Sequence, residues 1–346
     1  MRFNTKLLIG AVVFLLLVFV SFKVVLKSTN QEYPAKWQNT VVNPVARTPA
    51  ADPSKSEKTE TASGLSSEAS QARGYHGGET FEDWLVQYLA NSARPNEMLA
   101  LMLMRIPDSS EEVARLRELI NQTSEKALAL CLLAQSSVED APVITSQELE
   151  MLKSLAPDNA VVDDILAEHA YRSGDFSQAL EHFQNAGNAP SNNAYQAKYI
   201  EMIGDVYLDR YGYLTGDEFT DILGVSAAQT VPGLRFVHQV CYANALDAAW
   251  HSACAKRADV LFRQGETLVE RAVGAGLALD FDDTNAARYS EQIQRDQLEF
   301  MELSEALNEK ITVSGGMINR ELWQEYIALY EQERQLAALR FLVKRL

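Results

Sequence analysis

Residues Leu7 to Phe22 (LLIGAVVFLLLVFVSF) form an unbroken apolar run, and Val24-Val25-Leu26 extend it past a single Lys23. Roughly 20 residues rising about 1.5 Å each cover about 30 Å, the hydrocarbon thickness of a bilayer. The first acidic residue is Glu32, and Lys23 can carry its ammonium to the interface along its own apolar stem. Residues 1–27 are therefore expected to form one transmembrane anchor that enters the membrane through residues 7–26. A cleaved signal peptide is the competing reading. It needs a shorter apolar core of about 7–15 residues with a small-residue cleavage site close behind. Here the A-x-A-like candidates around Ala46 to Ala51 lie far downstream. Arg2 and Lys6 precede the run and Lys23 and Lys27 follow it, so flanking charge gives no direction. A short basic start before a large C-terminal part is the layout of a signal-anchor. The expected location is the inner membrane of a bacterium, single-pass, with the C-terminal part in the periplasm.

Residues 28–78 change character at once, to Ser, Thr, Ala, Pro, Gln, Lys and Glu with few large apolar side chains. Such a stretch buries too little surface to offset chain entropy and is expected to be a disordered linker. The formal charge of the chain is -16, and setting aside the four cations of the anchor leaves about -20 on the rest. Phosphate backbones repel a surface of that sign, so nucleic-acid binding is not expected.

From Glu79 onward the apolar spacing is helical. Phe81, Trp84, Leu85, Tyr88 and Leu89 share one face, and Ser109-x-x-Glu112 and Thr145-x-x-Glu148 are capping-box starts. No alternating strand pattern appears, so the fold class expected is all-α. A helical-hairpin region is expected over 79–142. Within it Leu99-Ala-Leu-Met-Leu103 echoes at Leu128-Ala-Leu-Cys-Leu132. Between Pro232 and Gly265 one long helix or a tight pair is expected, and Gly274-Ala275-Gly276 with Asp280 to Asp283 reads as a loop. Asp283 or Thr284 then caps a helix to about Leu307, and Gly315-Gly316 turns into a last helix from Asn319 to Leu346. That helix carries an apolar stripe of Leu322, Tyr326, Leu329, Leu336, Leu339, Val343 and Leu346. The stripe either caps the fold or supports self-association through 317–346. These helices make up a C-terminal region, 231–346.

The region 143–230 carries the strongest pattern. Pro157-Asp158-Asn159 precedes Leu166-Ala167-x-x-Ala170-Tyr171-x-x-Gly174-Asp175-Phe176-x-x-Ala179-x-x-x-Phe183-x-x-Ala186, with Pro190 about one 34-residue period after Pro157. This resembles a tetratricopeptide repeat (TPR), in which small residues let two antiparallel helices approach and aromatics fill the gap. Ile200-x-x-Ile203-Gly204-x-x-Tyr207 with Tyr213 looks like the first helix of another copy, with Tyr211 and Gly216 departing from the pattern. The resemblance implies an α-solenoid of TPR-like hairpins, and a membrane-anchored protein of that layout commonly holds partners during assembly or quality control. First helices of such repeats line a concave groove. The corresponding residues here are Asp164, Glu168 and Arg172, then Glu201, Asp205 and Asp209. An acidic groove of that kind favours a basic protein or peptide partner.

No motif for phosphate, dinucleotide or metallopeptidase chemistry occurs, and no catalytic residue or cofactor is expected. The alternative function is an envelope enzyme, for instance one acting on the cell wall, with a helical scaffold around a motif-less site. Cys131, Cys241 and Cys254 sit in apolar helical context and read as buried thiols. His238-x-x-Cys241 and His251-x-x-Cys254 supply four zinc-type ligands. On one continuous helix the pairs would lie about 20 Å apart, too far for a metal site or a disulfide unless the chain folds back. No turn residue near Leu246-Asp247-Ala248 demands such a fold. Asp280-x-Asp282-x-Thr284-Asn285 with Glu291 partly matches a calcium loop, but Asn285 and Arg288 replace the turn glycine and an oxygen ligand, so a helix start is expected instead.

Overall fold

A computed structural model describes Gln87 and residues 94–346, apart from 105, 139–140, 228–230 and 315–316. The expected anchor, the expected linker, the Phe81–Leu89 face apart from Gln87 and the Gly315-Gly316 turn lie outside the described residues. Among the described residues no helix is long and apolar enough to cross a membrane.

The described residues are mostly helical and belong to one compact unit, 63–346. The helices are α1 (Pro95–Met104), α2 (Ser110–Gln122), α3 (Lys126–Gln135), α4 (Ser146–Leu155), α5 (Ala160–Arg172) and α6 (Phe176–Ala186). They continue with α7 (Gln196–Tyr211), α8 (Gly216–Ala227), α9 (Leu234–Ala243), α10 (Ala248–Gln264), α11 (Leu268–Phe281), α12 (Ala286–Ser314) and α13 (Arg320–Arg345). The expected starts of α2 and α4 form, with the full capping box at α4 only. Ser109 accepts from the Glu112 backbone N–H, and Thr145 and Glu148 complete a reciprocal capping box. Four two-residue strands were not expected. Ser137–Val138 (β1) pairs antiparallel with Ala141–Pro142 (β2), and Tyr213–Leu214 (β3) with Ile318–Asn319 (β4). Two residues carry no visible alternation, so only the tertiary fold reveals them.

Helices α1 to α5 pack each on the next, and α5 with α6 forms a tight hairpin. Gly174 turns that hairpin at φ +86°, a conformation that disfavours any Cβ. Ala167, Ala170, Ala179 and Phe183 are buried along it, with the Phe183 ring packed by Phe236 and Trp250 at centroid distances of 6.2 and 5.4 Å. The chain then departs from simple stacking. Helix α7 packs chiefly on α1, α8 and α13, while α9 returns to α5 and α10 lies on α6. One core runs through α1–α5, α7, α8, the end of α12 and α13, and a second through α5, α6, α9–α11 and the start of α12.

Glycine explains two of these contacts. A Cβ at Gly204 would sit 2.0 Å from Trp323 Cζ2, so the small residue of the Ile203-Gly204 motif opens room for α13. A Cβ at Gly274 would sit 2.5 Å from the Phe262 backbone nitrogen. The expected Gly274–Gly276 loop is therefore a correction: these residues lie inside α11, where Gly274 lets α10 and α11 come into backbone contact.

Other expectations shift in the C-terminal region. Asp282 supplies the turn acceptor before α12, taking the Thr284 and Asn285 N–H groups, and α12 runs past Leu307 to Ser314. Asn319 caps α13, which is interrupted at Arg334 (φ 79°, ψ 175°). A non-glycine residue there is strained, and the neighbouring contacts hold it: Gln335 donates its N–H to the Glu266 carbonyl and accepts from Leu268 N–H at 3.2 Å. The α13 stripe is spent on the chain's own core. Tyr326, Leu336 and Leu339 are buried, and Leu322, Leu329, Val343 and Leu346 pack against the same cluster. That side of the helix is thus largely covered from within the chain.

The stretch from Pro232 to Gly265 is a tight pair. Asn244 closes α9, and the Asp247 carboxylate opens α10 by accepting from the Ala249 and Trp250 N–H groups. The reversal brings Cys241 and Cys254 into a disulfide, with their Cα atoms 5.7 Å apart. The reading of these two as separate buried thiols is thereby corrected. Asn and Asp compete well for backbone hydrogen bonds at helix ends, and Asn244 with Asp247 was the signal for the turn. Cys131 remains a buried free thiol, its pKa pushed up to about 12 by burial.

Candidate functional site

The six residues expected along one concave groove occupy three environments. Asp164 is the clearest correction: it is completely buried and faces Arg257 rather than a groove. Glu168 and Arg172 pair with each other at 2.5 Å, one turn apart on α5. Glu201, Asp205 and Asp209 follow one another on α7, which packs on α1 and α13 and does not continue the α5 row. A repeat match reports local helix spacing, whereas the row of a groove depends on which helix the next one packs against.

The α7 residues do line an open groove of about 490 Å³, closed on its far side by Arg94 and the first residues of α1, Pro95 to Glu97. Its charges are mixed. Lys198 reaches Glu201 at 2.6 Å and Glu125 at 3.4 Å, Arg94 reaches Glu97 at 2.9 Å and Asp209 at 3.1 Å, and Arg320 pairs with Asp209 and Asp205. Five carboxylates thus face three cations, leaving a modest acidic excess. Burial, then the neighbouring Glu201, holds the Asp205 carboxyl above its usual range.

A second constellation was not read from sequence. Arg257, 1% exposed, donates from Nε to both Asp164 oxygens at 3.1 and 3.0 Å. Its Nη2 donates to Asp164 at 2.5 Å and to the Asn192 carbonyl oxygen at 2.6 Å. Asn192 passes the network on, donating to Glu270 at 2.7 Å, and Glu270 closes a capping box with Thr267 at the start of α11. Just before that cap, Glu266 accepts from the Ala194 and Gln196 N–H groups at 3.0 and 3.2 Å. The cluster therefore pins the segment between α6 and α7 onto α5, α10 and α11. Asp164 lies 93 positions from Arg257 and Asn192 lies 65, and Thr267-x-x-Glu270 was the one local signal available.

Two buried carboxyl groups, Asp164 and Glu270, feel the buried Arg257 guanidinium, and Glu266 lies beside Glu270. Burial raises all three acids: Asp164 to about 6 against the pull of Arg257, and Glu266 to about 8 with the charge of Glu270 adding to the effect. Glu270 is raised against the hydrogen bonds it accepts from Thr267. Tyr330, buried beside the pair, is also raised, and Arg334 partly offsets the rise at Glu266. Such acids are a known signature of catalytic sites. Here Asp164, Asn192, Arg257, Glu266 and Glu270 are each at most 4% exposed, so no substrate reaches them in this conformation. The arrangement holds helices together and moves protons only if the fold opens.

A pH dependence follows. A carboxyl whose folded pKa lies above its unfolded value stabilises the fold fully below about pH 4.5. That contribution is lost as pH rises through the folded pKa, about 8 for Glu266. Each unit in this window costs up to about 1.4 kcal/mol per group. Thermal melts from pH 5 to 8.5 are expected to show falling stability. Glu266→Gln, which keeps an acceptor for the two N–H groups, is expected to flatten the profile. An equally steep profile in the variant would contradict the assignment.

Among the described residues no group of three or more His, Cys, Asp or Glu side chains is placed to hold a metal ion. The sulfurs of the His238/Cys241/His251/Cys254 set are consumed by the disulfide, and in the calcium-like stretch Asp280 accepts from the Tyr242 hydroxyl while Asp282 serves the helix start. No family model, no curated protein and no solved structure matches this chain.

Proposed function

We propose that the chain is a membrane-tethered helical scaffold that holds a protein or peptide partner at the bacterial envelope, in assembly or quality control. The observation that carries the reading is the open groove between α1 and α7, where Glu201, Asp205 and Asp209 stand in a row beside Lys198, Arg94 and Arg320. A row of paired but partly exposed charges can exchange internal partners for those of an incoming segment. The slight acidic excess favours a segment carrying Lys or Arg. In this reading residues 7–26 anchor the chain as a single pass, residues 28–78 tether it, and the helical part stands in the periplasm. The likeness of the α5–α6 hairpin to a tetratricopeptide repeat supports an interaction role. The rival reading, an envelope enzyme, finds the Asp164, Glu266 and Glu270 carboxyls sealed beneath the surface rather than in a cleft.

The test is a crosslinking pull-down of the full-length anchored protein beside the Glu201→Lys, Asp205→Lys, Asp209→Lys variant. A partner captured by the first and lost from the second, with unchanged circular dichroism and melting, supports the groove. The same partners in both would discard it.

A further inference from the structure

We infer that Cys241 and Cys254 form a structural disulfide installed by a disulfide oxidant while the chain folds, so that the helical part matures on an oxidising side of the membrane. The placement of the three cysteines carries the argument. Two of them meet across the α9–α10 corner, each fully buried, with a Cα separation inside the range that a disulfide spans without backbone movement. The third, Cys131, lies in the other core and is out of reach of exchange. A chance meeting of thiols does not build its own corner. Asn244 and Asp247 end one helix and start the next at the point that lets position 241 face position 254. Around the bond lie the buried side chains of the second core, Phe236, Trp250 and Phe281 among them.

Disulfides of this kind persist in exported compartments and are rare where cellular thiols are kept reduced. The chemistry balances through exchange. The thiolate of one cysteine attacks the sulfur of an oxidised dithiol protein, giving a mixed disulfide and one thiolate leaving group. The second cysteine then displaces the oxidant, which departs as a dithiol holding the two electrons, while the two cysteines lose their protons to solvent. Both sulfurs are inaccessible in the folded chain, so exchange must precede the closing of α9 onto α10. The bond is thus acquired during folding and protected afterwards.

The compartment half of this inference rests on the anchor reading given above; the pairing half does not. The experiment traps thiols in intact bacteria making the full-length chain. Cells are quenched in acid and denatured, and free thiols are labelled with a maleimide polymer with and without prior reduction. One labelled thiol before reduction and three after it is the expected result, with the full-length Cys131→Ser variant giving none and two. The same chain in cells lacking their extracytoplasmic disulfide oxidant should show three free thiols at the outset. Three free thiols in ordinary cells would overturn the inference. A pair still oxidised without that oxidant would overturn its compartment half. Neither result bears on whether the α7 groove binds a partner, which the crosslinking experiment decides separately.

Discussion

Arg257→Ala is expected to destabilise the fold by about 3–5 kcal/mol, the range for removing one partner of a buried ion pair. The guanidinium is 1% exposed and makes every close hydrogen bond that Asp164 shows, so its loss leaves a carboxyl without a cation or a donor in a dry site. The Asn192 carbonyl oxygen loses its donor in the same step. Asp164 would respond by protonating, which limits the cost at low pH. Urea unfolding at pH 5 and pH 8 is the measurement. The midpoint should drop at both, and by more at pH 8. Arg257→Met with Asp164→Leu removes both charges and keeps similar bulk, so it should recover much of the loss. A single Ala variant as stable as the parent would show that the pair contributes little.

The second large effect is expected at Gly204. An added Cβ would stand 2.0, 2.5 and 2.7 Å from three ring atoms of Trp323. That ring is fully buried, stacks on Tyr326 at 5.6 Å and meets Phe219 edge-on at 6.3 Å, so it has no free direction to yield. Overpacking of this kind costs about 1–3 kcal/mol, and Gly204→Ala should lie at or above the upper end. The intrinsic helix preference for Ala, roughly 1 kcal/mol, works the other way and is the smaller term. Trp323→Phe combined with Gly204→Ala frees space at the clash and should regain part of the loss. A thermodynamic cycle over the two positions should therefore show a coupling of about 0.5–3 kcal/mol. An additive cycle would mean that α13 does not rest on α7 at Gly204.

These positions also mark how far the amino-acid sequence reaches. The starts of α2 and α4 were legible because Ser109 and Glu112, or Thr145 and Glu148, satisfy each other within one turn. The α5–α6 hairpin was legible for the same reason: Gly174 and the alanines around it act between neighbouring helices. Gly204 was visible as a small residue in a helix, but nothing near it in the sequence named its partner. Its local spacing matched a repeat, and only the packing of α13 on α7 shows that Trp323 fills the space. Asp164 was read as a groove residue because helical phase alone cannot separate a face turned to solvent from one turned to Arg257, 93 positions away. Glu201, Asp205 and Asp209 do share a face, as their spacing requires, yet the cations that temper them come from α1 and α13 as well as from α7.

The sequence by itself determined the all-helical character, the helix starts that rest on local caps, and the absence of strand-like alternation. Those properties depend on residues within about four positions of each other, where backbone hydrogen bonding and side-chain period leave few choices. Tertiary structure decided the rest: the α9–α10 corner that joins Cys241 to Cys254, the crossing at Gly274, and the burial of Asp164 against Arg257. Each depends on which distant surface a helix face meets, and that is settled by the burial of the whole chain at once rather than by any one stretch of it.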